Sequence, residues 1–229
     1  IPKDTTKVLS VKVDIQDVDA TTNSFAADID TGDVTAENAA GTGLTESGSA
    51  AGKTLEVRKV GPQITLVSKS ISTDGVPQNN NVGVNRSTST LSVTYNLKIK
   101  AVGGDLTLGT VASGTPVFAS STGSFAVYRN GSYDGTISSS ATSTSYSIPT
   151  TCTSVGTNSC TLAEGTEVTI PVTWQILGRQ ILTGDTLTAG SLYSVGFEGL
   201  TWHSAAAATQ RTTFMATTTD WRTADVSFP

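Results

Sequence analysis

Few residues in this chain are of types that perform chemistry, and most of those are acids. Asp14, Asp17, Asp19, Asp28, Asp30, Asp33 and Glu37 gather near the amino terminus. Calcium is a hard cation that takes several oxygen ligands, and strand-end loops can supply them, so Asp17, Asp19, Asp28 and Asp30 form the candidate metal set. The spacing Asp17-x-Asp19 has the start of a calcium loop but neither the glycine nor the bidentate glutamate of an EF-hand. The competing reading is a solvated acidic face, and the sequence favours it; no other cofactor is expected. Acid–base catalysis has less to work with. His203 is the single imidazole, and no Gly-x-Ser-x-Gly turn accompanies it, so a Ser-His-Asp hydrolase is not expected and the chain reads as a non-enzyme. Asn85 in "NRS" and Asn130 in "NGS" match the glycan acceptor pattern, although "RNGS" is also turn chemistry.

The two cysteines, Cys152 and Cys160, bracket a Ser/Thr/Gly/Asn segment that can curl back on itself. Two cysteines and one histidine leave a closed zinc site one ligand short. A disulfide is therefore expected, and with it an oxidising, extracytoplasmic setting. The formal charge of −5 and the absence of basic runs argue against a nucleic-acid partner. No apolar stretch reaches the roughly 18 residues of a membrane span.

The elements that must position these residues are strands. Charged residues make up 14% of the chain, and Thr, Ser and Gly fill the polar places. Threonine's branched carbon suits a pleated surface. "LSVTYNLKIKAV" alternates Leu91, Val93, Tyr95, Leu97 and Ile99 with polar residues, and "EVTIPVTWQI" does the same with Val168, Ile170, Val172, Trp174 and Ile176. Pro171 lies on the outward parity of the second strand and predicts an edge or a bulge there. Asn130-Gly131 predicts a two-residue type I′ hairpin turn. "HSAAAATQ" has helix formers without a repeating apolar face and is read as a loop or at most one turn, and a Gly/Ala/Ser-rich stretch runs from Ala39 to Gly52. The count of roughly ten or more short strands predicts an all-β sandwich fold.

An internal repeat sets the expected domain organisation. "IPKDTTKVLSVKVDI" aligns without a gap over "LAEGTEVTIPVTWQI", placing Leu9, Val11, Val13 and Ile15 over Ile170, Val172, Trp174 and Ile176. "FAADI" then resembles "YSVGF", and "KTLEV" stands where "TADVSF" stands. Gly61-Pro62 interrupts the pattern between them. Residues 62–229 are expected to form a complete sandwich with a disulfide-closed loop. Residues 1–61 correspond to the second half of another, to be completed by upstream sequence or a neighbouring copy. Leu9, Val11, Val13 and Ile15 are the expected assembly strand.

"IPKDTTKVLSVKVDI", "GKTLEVRKVGPQITLVSKS", "LKIKAVGGD" and "VYRNGSYDG", with the strand ending in Trp202 and the closing Trp221 segment, resemble the Ig-like sandwich repeats of large secreted surface proteins of candidate-phyla bacteria. The resemblance implies two Ig-like domains in tandem, the first incomplete within this chain. It also implies an exported structural component of a cell-surface layer (S-layer) or filament, self-assembled from copies of the same protein through sheet edges and strand complementation. The alternative is an adhesin or carbohydrate-binding module on a surface stalk, with a surface glycan as partner and with Tyr133, Tyr146, Trp202 or Trp221 as contact aromatics.

Overall fold

The computed structural model describes residues 5–8, 10, 12, 14–15, 23–52, 54–74, 90–110, 114–120, 123–137, 143–156, 158–177, 190–204, 211–214 and 219–227. Among them the protein is all-β, with antiparallel strands in several sheets and a single 3₁₀ turn at Thr219–Trp221. The chain divides into two compact units, Ile1–Lys59 and Val60–Pro229.

The first unit holds short strands β1 (Asn23–Phe25), β2 (Asp28–Ile29), β3 (Ala36–Glu37), β4 (Gly43–Leu44), β5 (Ala50–Ala51) and β6 (Leu55–Val57). They pair as nested ladders, β1 with β6, β2 with β5 and β3 with β4, which makes one interrupted two-stranded ribbon. At its tip the Asn38 side chain accepts from the amides of Ala40 and Thr42, each at 2.9 Å, an Asx-type turn that closes the chain on itself. Between the first two ladders the register slips by one residue beside Gly52. A Cβ on Gly52 would stand 2.2 Å from the Ala27 carbonyl oxygen, so only glycine lets the strands meet there. Strands β4 and β5 lie inside the Gly/Ala/Ser-rich stretch from Ala39 to Gly52. Their residues show no alternation, and only the opposite strand gives them an extended partner.

The second unit is built from β7 (Gly61–Asp74), β8 (Thr90–Val102), β9 (Leu106–Leu108), β10 (Phe125–Arg129), β11 (Ser132–Tyr133), β12 (Ser143–Tyr146), β13 (Thr153–Gly156), β14 (Ser159–Leu162), β15 (Glu167–Leu177), β16 (Leu192–Phe197), β17 (Gly199–Ser204), β18 (Arg211–Phe214) and β19 (Val226–Ser227). Three sheets result, in the orders β12-β15-β8-β7, β11-β10-β16-β19 and β13-β14-β9-β17-β18. The chain passes from the second sheet to the third through Glu198, the one residue between β16 and β17.

The core is the inner face of β8 and β15. Leu91, Val93, Tyr95, Leu97, Ile99 and Ala101 on one strand, and Ile170, Val172, Trp174 and Ile176 on the other, are fully buried. Every second residue faces inward because the pleat alternates, which is the period the sequence displays. Against this face the second sheet sets Phe125 and Phe197, with ring centres 5.2 Å from Trp174 and 5.9 Å from Tyr95 respectively. Phe118 stands edge-on to Trp174, at 6.3 Å. The arrangement is sandwich-like, and aromatic pairs at such spacings add to the stabilisation from burial itself. Both polar tips are satisfied. Trp174 Nε1 donates to Ala119 O at 3.0 Å, and Tyr95 Oη donates to Val195 O at 2.5 Å with Trp221 O 3.0 Å away.

Pro171 is exposed and lies one residue beyond the end of the β12 ladder, so β15 is an edge at that point although it is central from Val172 to Gln175. The Asn130-Gly131 turn joins β10 to β11 with φ of +49° and +81° at the two residues, as a type I′ turn requires. Gly61-Pro62 does not interrupt a strand. The pair opens β7, the outermost strand of its sheet, where a ring without an N–H is tolerated.

Burial of Tyr95 pushes its phenol well above the ordinary tyrosine value. The unfolded chain loses that proton near pH 10 and the folded chain does not, so unfolding releases a proton above that pH and stability falls as the pH rises. Unfolding free energies from urea titrations at about pH 8 to about pH 11 should be level at first and then drop, by at most about 1.4 kcal/mol per pH unit from this group. Tyr95→Phe should unfold at lower urea at about pH 8, having lost its carbonyl acceptors, but should decline less steeply above about pH 10. An equally steep decline in the variant would place the alkaline sensitivity elsewhere.

Candidate functional site

The sheet edges of the second unit carry devices that oppose further strand pairing. β7 is the longest of them, and three features blunt it. Ala101 turns both its backbone groups toward the β15 side, donating to Thr166 O at 3.1 Å and accepting from Gly165 N at 2.9 Å. Pro62, directly opposite Ala101, therefore points its nitrogen at the free edge and offers no donor there. Next, the register shifts between Leu66 and Ser68, leaving Val67 bulged and 58% exposed. The bulge then turns Lys69 onto the inward parity opposite Tyr95, and its Nζ donates to Asp220 O. The other outer strands, β11, β12, β13, β18 and β19, run for four residues or fewer.

The first unit differs. Phe25, Ile29, Val34, Leu44 and Leu55 are all exposed large hydrophobic residues, and Phe25 sits directly across the ladder from Leu55. In the repeat alignment these segments match "YSVGF" and "ADVSF", which also pair with each other in the second unit, Tyr193 across from Val226. There the pair belongs to the core: Tyr193 is fully buried and Val226 packs against the main cluster. In the ribbon Phe25 is 42% and Leu55 67% exposed. The difference lies in the neighbours, because β16 has β10 on its other side whereas β1 has only β6 among the described residues. Sequence reasoning matched these segments to buried strands and did not single out their exposure.

Of the expected assembly strand, Leu9, Val11 and Val13 lie outside the described residues. Ile15 sits on backbone without strand pairing and is 39% exposed. Asp17 and Asp19 also lie outside the described residues. Asp28 spends one carboxylate oxygen on the Gly52 amide, at 2.8 Å, and Asp30 donates its backbone N–H to the Asp33 carboxylate at 2.8 Å. The first braces the ribbon beside its register slip and the second closes a turn, and among the described residues no group of three or more His, Cys, Asp or Glu side chains gathers. Asn85 lies outside the described residues. Asn130 is exposed at the hairpin tip, where its Oδ1 accepts from Leu192 N at 2.9 Å. His203 is half-buried, with its Nδ1 3.4 Å from the neighbouring Ser204 carbonyl.

Cys152 and Cys160 are bonded to each other and buried, closing the β13–β14 hairpin onto the core. Of the candidate contact aromatics, Trp202 is buried and Trp221 packs on Phe197. Tyr133 is 52% exposed beside Tyr128, and Arg222 lies over the Tyr128 ring at 4.7 Å. Tyr146 is half-buried in a groove beside the disulfide hairpin. Among the described residues no helix is long and apolar enough to cross a membrane.

No family model matches this sequence, and neither the curated proteins nor the solved structures contain a significant match to it.

The disulfide closes a short loop, and on the chain-entropy account that contributes about 2.5 kcal/mol. Replacing both cysteines by serine should lower the unfolding free energy in urea by about that amount and leave the far-ultraviolet circular dichroism unchanged. A loss below about 0.5 kcal/mol would mean the hairpin is already held by its ladder and by burial alone.

Proposed function

We propose that this protein is a non-enzymatic, extracellular structural subunit, part of a cell-surface layer or filament assembled from copies of itself. The two Ig-like sandwiches in tandem, the first completed by a partner, are part of the same proposal. The observation that carries it is the exposed Phe25–Leu55 pair, set against its counterpart Tyr193–Val226, in which Tyr193 is fully buried and Val226 packs against the core. A two-stranded ribbon is at best marginally stable in water, and one that also exposes large apolar side chains gains most from a third strand or a facing sheet. A second copy can supply both. Contacts of that head-to-tail kind extend into a layer or filament when the rotation between subunits does not close.

Two further observations support the reading. Pro62, the Val67 bulge and inward Lys69 disfavour pairing at the long edge of the second unit, which directs association toward the first. The Cys152–Cys160 bond suits an oxidising compartment, where such bonds persist.

Sedimentation velocity over a concentration series tests the proposal. The intact chain should show concentration-dependent association, and Phe25→Ser with Leu55→Ser should weaken it at least about tenfold, since each removes a buried side chain from the contact. A monodisperse folded monomer of the unmodified chain at about 100 μM would overturn the proposal, and so would association indifferent to both substitutions.

A further inference from the structure

The sheet β11-β10-β16-β19 turns one face to the core, where Val127, Tyr193 and Val195 are buried, and the other face away from it. Tyr128 stands across from Ser194 on β16 and from Tyr133 on β11, so these three share the second face, and alternation along β16 adds Leu192 to it. Tyr133 is 52% and Leu192 45% exposed. The Tyr128 and Tyr133 rings lie 6.1 Å apart, centre to centre. Arg222 joins them: its backbone bridges to Gly196, and its guanidinium lies over the Tyr128 ring at 4.7 Å.

Arg222 differs from the neighbouring cations in its partners. Lys69 donates to the Asp220 carbonyl, Lys98 faces Glu167 at 3.5 Å, Lys100 lies directly across the ladder from Glu167, and Arg129 faces Asp134 at 3.3 Å. Arg222 has no carboxylate partner among the described residues. A guanidinium held on an aromatic ring, beside a second exposed ring and a leucine, has the composition of a protein contact that takes acidic and apolar groups together.

The ribbon of the first unit has the complementary composition. Residues 23–52 contain Asp28, Asp30, Asp33, Glu37 and Glu46 and no lysine or arginine. Phe25, Ile29, Val34 and Leu44 are exposed among those acids. We infer that the ribbon of one copy docks on the outer face of the β11-β10-β16-β19 sheet of another, its acids meeting Arg222 and its apolar side chains meeting Tyr133 and Leu192. The contact joins the first unit of one molecule to the second unit of the next, which is the head-to-tail kind that extends a chain of subunits. The inference rests on the proposed assembly through the first unit and names the surface that receives it.

Sedimentation velocity of the intact chain and its charge variants tests it. Association should weaken between about 0.05 and about 0.5 M sodium chloride, as exposed charges are screened. Arg222→Glu should weaken it about tenfold, whereas Lys100→Glu, which changes the net charge equally, should not. Asp30→Lys combined with Glu37→Lys should weaken it likewise, and an equal mixture of that variant with Arg222→Glu should associate better than either alone, because opposite charges then meet again. Tyr133→Ala should weaken association without altering charge, and it decides if near-ultraviolet circular dichroism shows that Arg222→Glu has lost its fold. Association that responds to Phe25→Ser and Leu55→Ser but to neither Arg222→Glu nor Tyr133→Ala would leave assembly through the first unit standing and overturn this docking face. A mixture no better than its components would place the charge effect within one chain and overturn it as well. Absence of any association would overturn both.

Discussion

The pairing of β8 with β15 is the interaction on which the rest of the second unit depends. Eleven consecutive register pairs, from Glu167–Lys100 to Leu177–Thr90, bring two alternating strands together so that their apolar parities fall on one face. Slipping the register by one residue would turn one strand's whole apolar set to the other face, so the burial of Tyr95 and Trp174 enforces the pairing as much as it results from it. Everything else packs onto that face. The second sheet brings Phe125 and Phe197, and the loop before β10 brings Phe118. The carbonyls of Val195 and Ala119 accept from the two large polar rings. On the outer face the same pairing sets Thr94 and Thr173 side by side, their hydroxyls 2.9 Å apart, which suits a surface in contact with water.

The two units meet the same problem in different ways. A sheet leaves unpaired edges and one apolar face, and both are hazards in water. The second unit covers its face with further sheets and blunts its longest edge with a proline, a bulge and an inward lysine. The ribbon of the first unit has hydrogen-bonded turns at Asn38 and Asp30 but large apolar side chains left exposed. Local chemistry in that unit is well satisfied and burial is not.

Much of the fold was legible because strand periodicity is a local property. The inward residues of β8 and β15 follow from alternation, the β10–β11 turn from Asn130-Gly131, and the disulfide from the spacing and composition around Cys152 and Cys160. Other features were not legible. Gly61-Pro62 looks like a break, yet it begins a strand, because a proline whose nitrogen faces an open edge costs no ladder bond. The alternation of "ITLVSKSIS" falters at Val67 and Lys69, and only the register against β8 shows the fault to be a bulge. Strands β4 and β5 carry no periodic signal because they are extended by pairing rather than by propensity. The face that carries Arg222 was the least legible of all, since its side chains come from β10, β11, β16 and the segment before β19.

By itself, then, the sequence determined the all-β class, the parity of its longest strands, one tight turn and one covalent loop. Each of these depends on residues near one another in the chain, where sterics and alternation act directly. Which strands are edges, which apolar pairs are covered and where distant hydroxyls and rings converge were decided only by the tertiary structure. Phe25–Leu55 and Tyr193–Val226 make the reason plain: two similar pairs in the same antiparallel relation differ in exposure, because burial is set by what lies across the sheet and not by the pair itself.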